Sequence, residues 1–218
     1  MAAHWWDPDG PCRPLHDLNP VRLQYVQQAI SLQGKAILDI GCGGGLLSEA
    51  LAREGAKVCA LDMAEQAINV ARDHARVQHL EVDYRLETAE QHAANHPEHY
   101  DAVTCMELLE HVPDPLSLLK ACSDALKPGG QLFLSTLNRT PLSYAGAILG
   151  AEYLLKLLPV GTHDYQKFIR PSELARACRQ TGLEVKDITG MRYNPFTRHA
   201  ALGHRVDINY LLRAEKPA

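Results

Sequence analysis

The sequence predicts an α/β protein: a seven-stranded, mostly parallel sheet with helices on both faces and an antiparallel edge strand. Three observations carry that prediction. Short apolar runs alternate with stretches whose apolar residues recur at helical spacing, the pattern of strands joined by crossover helices. The first run ends in a glycine-rich loop, D-I-G-C-G-G-G-L-L (39–47), which opens a helical pattern, and the second run ends in an aspartate. The last quarter of the chain carries two strand-like runs after one helix, which suits antiparallel pairing at a sheet edge.

In chain order, K-A-I-L-D-I (35–40) is the first strand and L-L-S-E-A-L-A-R-E (46–54) the helix that leaves its loop. K-V-C-A-L-D (57–62) follows as a strand, then E-Q-A-I-N-V-A-R-D-H-A-R (65–76) as a helix. V-D-Y-R-L (82–86) is a short strand, and Y-D-A-V-T-C-M (100–106) a longer one with the continuous apolar character of a strand covered on both faces. P-L-S-L-L-K-A-C-S-D-A-L (115–126) is helical, and K-P-G-G (127–130) turns the chain into the strand Q-L-F-L-S-T-L (131–137). The helix P-S-E-L-A-R-A-C-R-Q-T-G (171–182) precedes the strands L-E-V-K-D-I (183–188) and V-D-I-N-Y-L-L-R-A (206–214), expected as an antiparallel hairpin. No repeat or low-complexity tract interrupts the pattern.

With 218 residues, 46% of them hydrophobic, the chain is long enough to bury one sizeable core, so residues 1–218 are read as a single domain. The net charge of −4 and the lack of any Lys/Arg run disfavour nucleic acid, which demands a basic face. Six cysteines, at 12, 42, 59, 105, 122 and 178, form no C-x-x-C pair. Several fall in or beside core strands, as free thiols of a reducing compartment do. The N-terminus M-A-A-H-W-W-D has no apolar signal region, so a cytoplasmic location is expected.

Glycines at 41, 43, 44 and 45 let the backbone turn sharply beside a ligand, ahead of a helix whose first amides favour anionic groups. Asp62 stands 21 residues after Gly41, the spacing of a carboxylate that accepts ribose hydroxyls in a Rossmann-like fold. A nucleoside ligand is therefore expected. Leu46 occupies the position where a dinucleotide fingerprint needs a small residue, which weighs against a nicotinamide cofactor.

L-D-I-G-C-G-G-G followed by A-L-D resembles the class I S-adenosylmethionine-dependent methyltransferases. The blocks W-W-D, P-L-H-D-L-N-P-V-R-L, T-C-M-E-L-L-E-H-V-P-D-P, S-T-L-N-R-T, G-A-E-Y-L-L, G-T-H-D-Y-Q-K-F-I, Y-N-P and V-D-I-N-Y narrow the resemblance to the ubiquinone biosynthesis O-methyltransferases. They extend from residue 5 to residue 210. The resemblance implies S-adenosyl-L-methionine as cofactor, with contacts at Arg22, Asp39, Gly41, Gly43, Asp62 and Met106. The glycine loop would hold the methionine part, Asp39 would orient its amino group, and Asp62 would hold the ribose. It also implies a polyprenylated phenol or quinol substrate and membership of a biosynthetic complex. Members of this family carry a helix ahead of W-W-D, so a more open cofactor site or a longer natural chain is expected here.

Methyl transfer needs an ionised substrate oxygen, and a phenol titrating near 10 costs roughly 4 kcal/mol to ionise at neutral pH. Glu107, Glu110 and His111 directly follow the strand 100–106, at the end of the sheet where ligands bind. On a helical turn the three would share a face and, as two carboxylates with one imidazole, suit Mg²⁺ or Zn²⁺. Descriptions of eukaryotic relatives support that ligand set. His111 and Glu110 are the expected catalytic residues. Two other readings stay open: a metal-free base at His111, with Glu110 of minor weight, and a purely structural turn. His163 is a weaker base candidate.

Residues 138–170 supply an apolar insertion, P-L-S-Y-A-G-A-I-L-G-A-E-Y-L-L-K-L-L (141–158), too short and too charged to span a bilayer. Arg139, Lys156, Lys167 and Arg170 outweigh Glu152 and Asp164 there, which fits peripheral contact with an anionic membrane surface. A lid or a dimer contact is the competing reading. Among whole-chain readings, a quinone C-methyltransferase and a catalytically silent lipid-binding partner remain the alternatives.

Overall fold

The computed structural model describes residues 5–143 and 165–218. The chain runs through α1 (Arg13–Gln27), β1 (Ala36–Ile40), α2 (Leu46–Arg53), β2 (Lys57–Asp62), α3 (Glu65–Val77), β3 (Val82–Leu86) and α4 (Ala89–Asn95). It continues through β4 (Tyr100–Met106), α5 (Pro115–Ala125), β5 (Leu126–Leu137) and the short turn α6 (Pro141–Ser143). The C-terminal part holds α7 (Pro171–Gln180), β6 (Glu184–Asn194), β7 (His199–Gly203) and β8 (Asn209–Glu215).

One sheet collects all the strands in the order β3-β2-β1-β4-β5-β8-β6-β7. It has eight strands among the described residues, one more than the sequence led us to expect, and three of them are antiparallel. β7 escaped prediction because H-A-A-L-G offers little side-chain pattern. It forms because a turn folds it back, with Asn194 Oδ1 accepting the Phe196 and Thr197 N–H groups and Arg198 at φ 56°. The expected pairing of 183–188 with 206–214 is present, from Glu184↔Glu215 to Met191↔Asn209, but β6 makes its hairpin with β7. Lys127–Gly130 leaves the β4–β5 ladder between the pairs Tyr100↔Leu126 and Ala102↔Gln131, so the predicted turn is an excursion within one strand.

Alternate side chains of the strands feed two cores. On one face Leu38, Ile40, Val103, Cys105, Leu132 and Leu134 pack with residues of α4, α5 and α7. On the other, Ile37, Val58, Ala60, Ala102, Phe133 and Leu211 pack with α1, α2 and α3. Two helices were not assigned from sequence. In α1, Leu18, Val21, Arg22, Tyr25 and Val26 form the buried stripe, but Pro14 and Pro20 break the local helical signal. α4 is only two turns long and relies on a capping box in which Thr88 and Gln91 satisfy each other's backbone N–H.

Parallel strands β1 and β4 are neighbours although β2 and β3 lie to one side and β5 to the other. Their C-terminal ends therefore diverge into loops that run in opposite directions, which opens a crevice at this point of the sheet.

Candidate active site

The site is built first by the loop after β1. Gly41, Gly43 and Gly45 all take positive φ. The Gly41 and Cys42 N–H groups donate to Leu61 O at 2.8 and 3.0 Å, which ties the loop to the end of β2. The Trp5 indole lies so close that a Cβ on Gly43 or Gly44 would stand 2.4 or 2.2 Å from its ring. These glycines thus make room for the Trp5 side chain. Trp6 Nε1 donates to Gly44 O at 3.0 Å, and its ring stacks on His74 at 3.5 Å between centroids.

Asp62 ends β2 where the spacing predicted it. Its Oδ2 accepts the Gly43 N–H and its Oδ1 the Ala64 N–H, both at 2.8 Å, so it ties the glycine loop to the start of α3. Asp39 is 3% exposed and accepts Ser48 Oγ at 2.6 Å on one oxygen and Thr104 Oγ1 at 2.7 Å on the other. Asp39 and Thr104 face each other as register partners of β1 and β4. Burial raises the Asp39 pKa, against the pull of these hydroxyls and of Arg22.

Arg22 reaches the crevice from α1 and is buried. Its Nη2 lies 3.4 Å from Glu107 Oε1, yet neither Nε nor Nη2 has a hydrogen-bond partner among the described residues. A buried guanidinium with open donors suits a carboxylate, because it can bind both oxygens with parallel N–H bonds. Met106 ends β4 and is buried in the core that contains α1 and α2. Arg22, Gly41, Gly43, Asp39, Asp62 and Met106 thus gather around the ends of β1, β2 and β4, and the open Arg22 donors fit the carboxylate at the methionine end of S-adenosylmethionine.

The segment after β4 corrects one expectation. Glu107 adopts φ 54°, so Glu107, Glu110 and His111 do not continue as a helical turn. Glu107 Oε1 accepts Ser135 Oγ at 3.0 Å and Asn209 Nδ2 at 2.9 Å, and its N–H donates to Ser135 O at 3.0 Å. These bonds join β4 to β5 and β8 and hold the left-handed residue in place. Glu110 turns inward and is 4% exposed, while His111 is exposed. Among the described residues, no three His, Cys, Asp or Glu side chains form a group that could hold a metal ion. Glu107 and Glu110 lie close enough for one carboxylate to raise the pKa of the other, but with His111 they do not form such a group for Mg²⁺ or Zn²⁺ in this conformation.

Glu110 has the properties of a proton acceptor. Its Oε2 accepts Thr136 Oγ1 at 2.8 Å, whereas its buried Oε1 has no partner among the described residues. Burial, and then the neighbouring Glu107 carboxylate, push its pKa up to about 8, while Thr136 and Arg22 oppose the rise. Ser135, Thr136 and Asn209 were not singled out as site residues from sequence. Their only signal was membership of the blocks S-T-L-N-R-T and V-D-I-N-Y. His163 and residues 144–164 of the apolar insertion lie outside the described residues. No helix among the described residues is long and apolar enough to cross a membrane.

Comparison with known proteins follows the same lines. A family profile described as a methyltransferase domain matches residues 16–188. A ubiquinone biosynthesis O-methyltransferase of Xanthomonas campestris pv. campestris is 55% identical over 217 residues, covering 100% of this chain and 91% of its own. A protein of the same name from Stutzerimonas stutzeri is 55% identical over 216 residues, covering 99% and 93%. Among solved structures, magnesium protoporphyrin IX methyltransferase from Synechocystis with bound SAH aligns with a TM-score of 0.68 at 18% identity, covering 93% of this chain and 83% of that one. That likeness shows the fold. With a methyltransferase-domain match over most of the chain and relatives more than half identical across its whole length, the chain belongs to the ubiquinone biosynthesis O-methyltransferase family of S-adenosylmethionine-dependent methyltransferases.

Proposed function

We propose that this enzyme methylates phenolic hydroxyls of polyprenylated intermediates, a 2-polyprenyl-6-hydroxyphenol and 3-demethylubiquinol, at a membrane surface. The observation that carries the reading is Glu110, a buried carboxyl with one open oxygen beside the crevice, in a chain matched over its whole length by its named relatives. When bound, S-adenosylmethionine supplies a methyl group on a sulfonium, open to in-line attack. Arg22 takes the cofactor carboxylate, and the loop from Gly41 to Gly45, braced by Asp62, holds the rest in register. Glu110 Oε1 takes the substrate proton. A base near 8 lies within about 2 units of a phenol, so the transfer is uphill by only about 3 kcal/mol. Thr136 keeps the other oxygen of Glu110 engaged and so sets which oxygen faces the substrate.

Contact with lipid is supported by the distribution of exposed apolar side chains. Met63 follows β2, Leu86 ends β3, Leu116 opens α5, and Leu142 follows β5. Phe196, 81% exposed, tips the β6–β7 hairpin, and Ile208 precedes β8. Because β6 runs parallel to β5 and β8 opposite to both, all six lie at the active-site end of the sheet. An apolar rim around the crevice suits a substrate that partitions into a bilayer.

The test is incubation of the enzyme with methyl-labelled cofactor and a short-chain 3-demethylubiquinol, followed by mass analysis. Label on the ring oxygen supports the reading. Label on a ring carbon would show the quinone C-methyltransferase instead, and no transfer in a cofactor-binding protein would show the silent partner.

A further inference from the structure

Arg22 is the expected partner for the carboxylate at the amino-acid end of the cofactor, and the ammonium there needs acceptors of its own. Asp39, the residue expected for that task, is buried and shares its oxygens with Ser48 and Thr104, while an ammonium carries three N–H donors and calls for more than one acceptor. An ammonium needs an acceptor that is open and held in place.

Asn19 meets that need. It sits on α1 three residues before Arg22, so the two side chains share a face of the helix. Its Nδ2 donates to Leu46 O at 2.9 Å, at the first turn of α2 where the glycine loop ends. That bond fixes the orientation of the amide and leaves Oδ1 buried, without a partner among the described residues. A buried amide oxygen left unpaired is unfavourable, and a ligand donor would satisfy it. One helix face thus offers open donors at Arg22 and an open acceptor at Asn19, beside the loop that both elements clasp. An α-amino acid carries the complementary pair, a carboxylate and an ammonium.

We propose that Asn19 is a cofactor-specificity residue: its Oδ1 accepts a hydrogen bond from the α-ammonium of S-adenosylmethionine while Arg22 binds the carboxylate. Asn19 reads the charge pattern of the amino-acid end, and its second amide group locks the reader to the glycine loop.

The experiment compares two ligands by calorimetry, with no turnover involved. One is S-adenosylhomocysteine; the other is 5′-S-(3-carboxypropyl)-5′-thioadenosine, the same molecule without its amino group. The wild type is expected to prefer the first by roughly ten- to a hundredfold, the range for a hydrogen bond to a charged group. Asn19→Leu should lose that preference, with S-adenosylhomocysteine weakened and the amine-free ligand changed less than about twofold. Asn19→Asp keeps an acceptor oxygen and gives up the bond to Leu46, so it should retain the preference. Equal binding of both ligands by the wild type would overturn the proposal. So would an equal loss for both ligands in Asn19→Leu, which would mark Asn19 as a brace for the loop, or an Asn19→Asp variant that no longer discriminates.

Discussion

In the proposed reaction Glu110 takes the substrate proton, and its environment makes a definite kinetic prediction. With its pKa raised to about 8, only a minority of molecules carry the ionised base at pH 7. Turnover at limiting substrate should therefore climb with pH and level off above about 8. Glu110→Gln keeps the shape and the bond to Thr136 but cannot take a proton. It is expected to slow methyl transfer by about 10²–10⁴-fold while S-adenosylhomocysteine affinity stays within about twofold. Stability moves with the same titration. The folded pKa is raised above its unfolded value, so the native state holds the proton more tightly, and stability present at acid pH is lost as pH rises toward 8. In Glu110→Gln that loss should shrink, which melting temperatures between pH 5 and 9 would reveal. A variant with full turnover would remove Glu110 as the base and return His111 to first place.

At the scale of elements, α4 shows how a short helix is secured by polar chemistry in a core. His92 is fully buried: its Nδ1 meets Glu87 Oε1 at 2.6 Å and its Nε2 meets the Tyr100 hydroxyl at 2.6 Å. Cys59 lies 3.9 Å from Nε2, His96 stacks on the ring, and Arg85 stands nearby. Burial holds the His92 pKa below the ordinary histidine value, although the Glu87 carboxylate works against it. A depressed pKa means that the unfolded chain binds the proton better, so stability present above pH 6.5 is lost as pH falls below it. One such group contributes at most about 1.4 kcal/mol per pH unit. Denaturant unfolding at pH 7 and pH 5.5 should show this loss in the wild type, and His92→Asn should lessen it. An unchanged slope in a folded His92→Asn variant would place the acid sensitivity elsewhere.

For the whole molecule, the apolar rim at the active-site end makes a prediction that does not depend on catalysis. Phe196→Ser with Leu142→Ser should reduce binding to vesicles containing anionic lipid by several-fold, since each exposed side chain that enters the interface adds roughly 1.5–3 kcal/mol at most. Cofactor affinity should not change, because neither residue touches the glycine loop. Vesicle binding that survives both substitutions would assign lipid contact to another part of the chain.

Much of this architecture was legible from residue patterns because it rests on local periodicity. Every strand of the parallel part, the glycine loop and Asp62 at its fixed spacing follow from alternation, turn chemistry and backbone freedom, which act over a few residues. The cofactor class and the family followed from motifs in the same way. What sequence did not reveal depends on residues far apart in the chain. α1 was hidden by its prolines and is stabilised by packing on the sheet, and β7 exists only because β6 offers it an edge. Whether Glu107, Glu110 and His111 share a helical face was undecidable from their spacing, since Glu107 takes a left-handed conformation held by Ser135 and Asn209 from two other strands. The raised pKa of Glu110 and the open oxygen of Asn19 likewise exist only after folding, because burial and unpaired polar atoms are properties of packing.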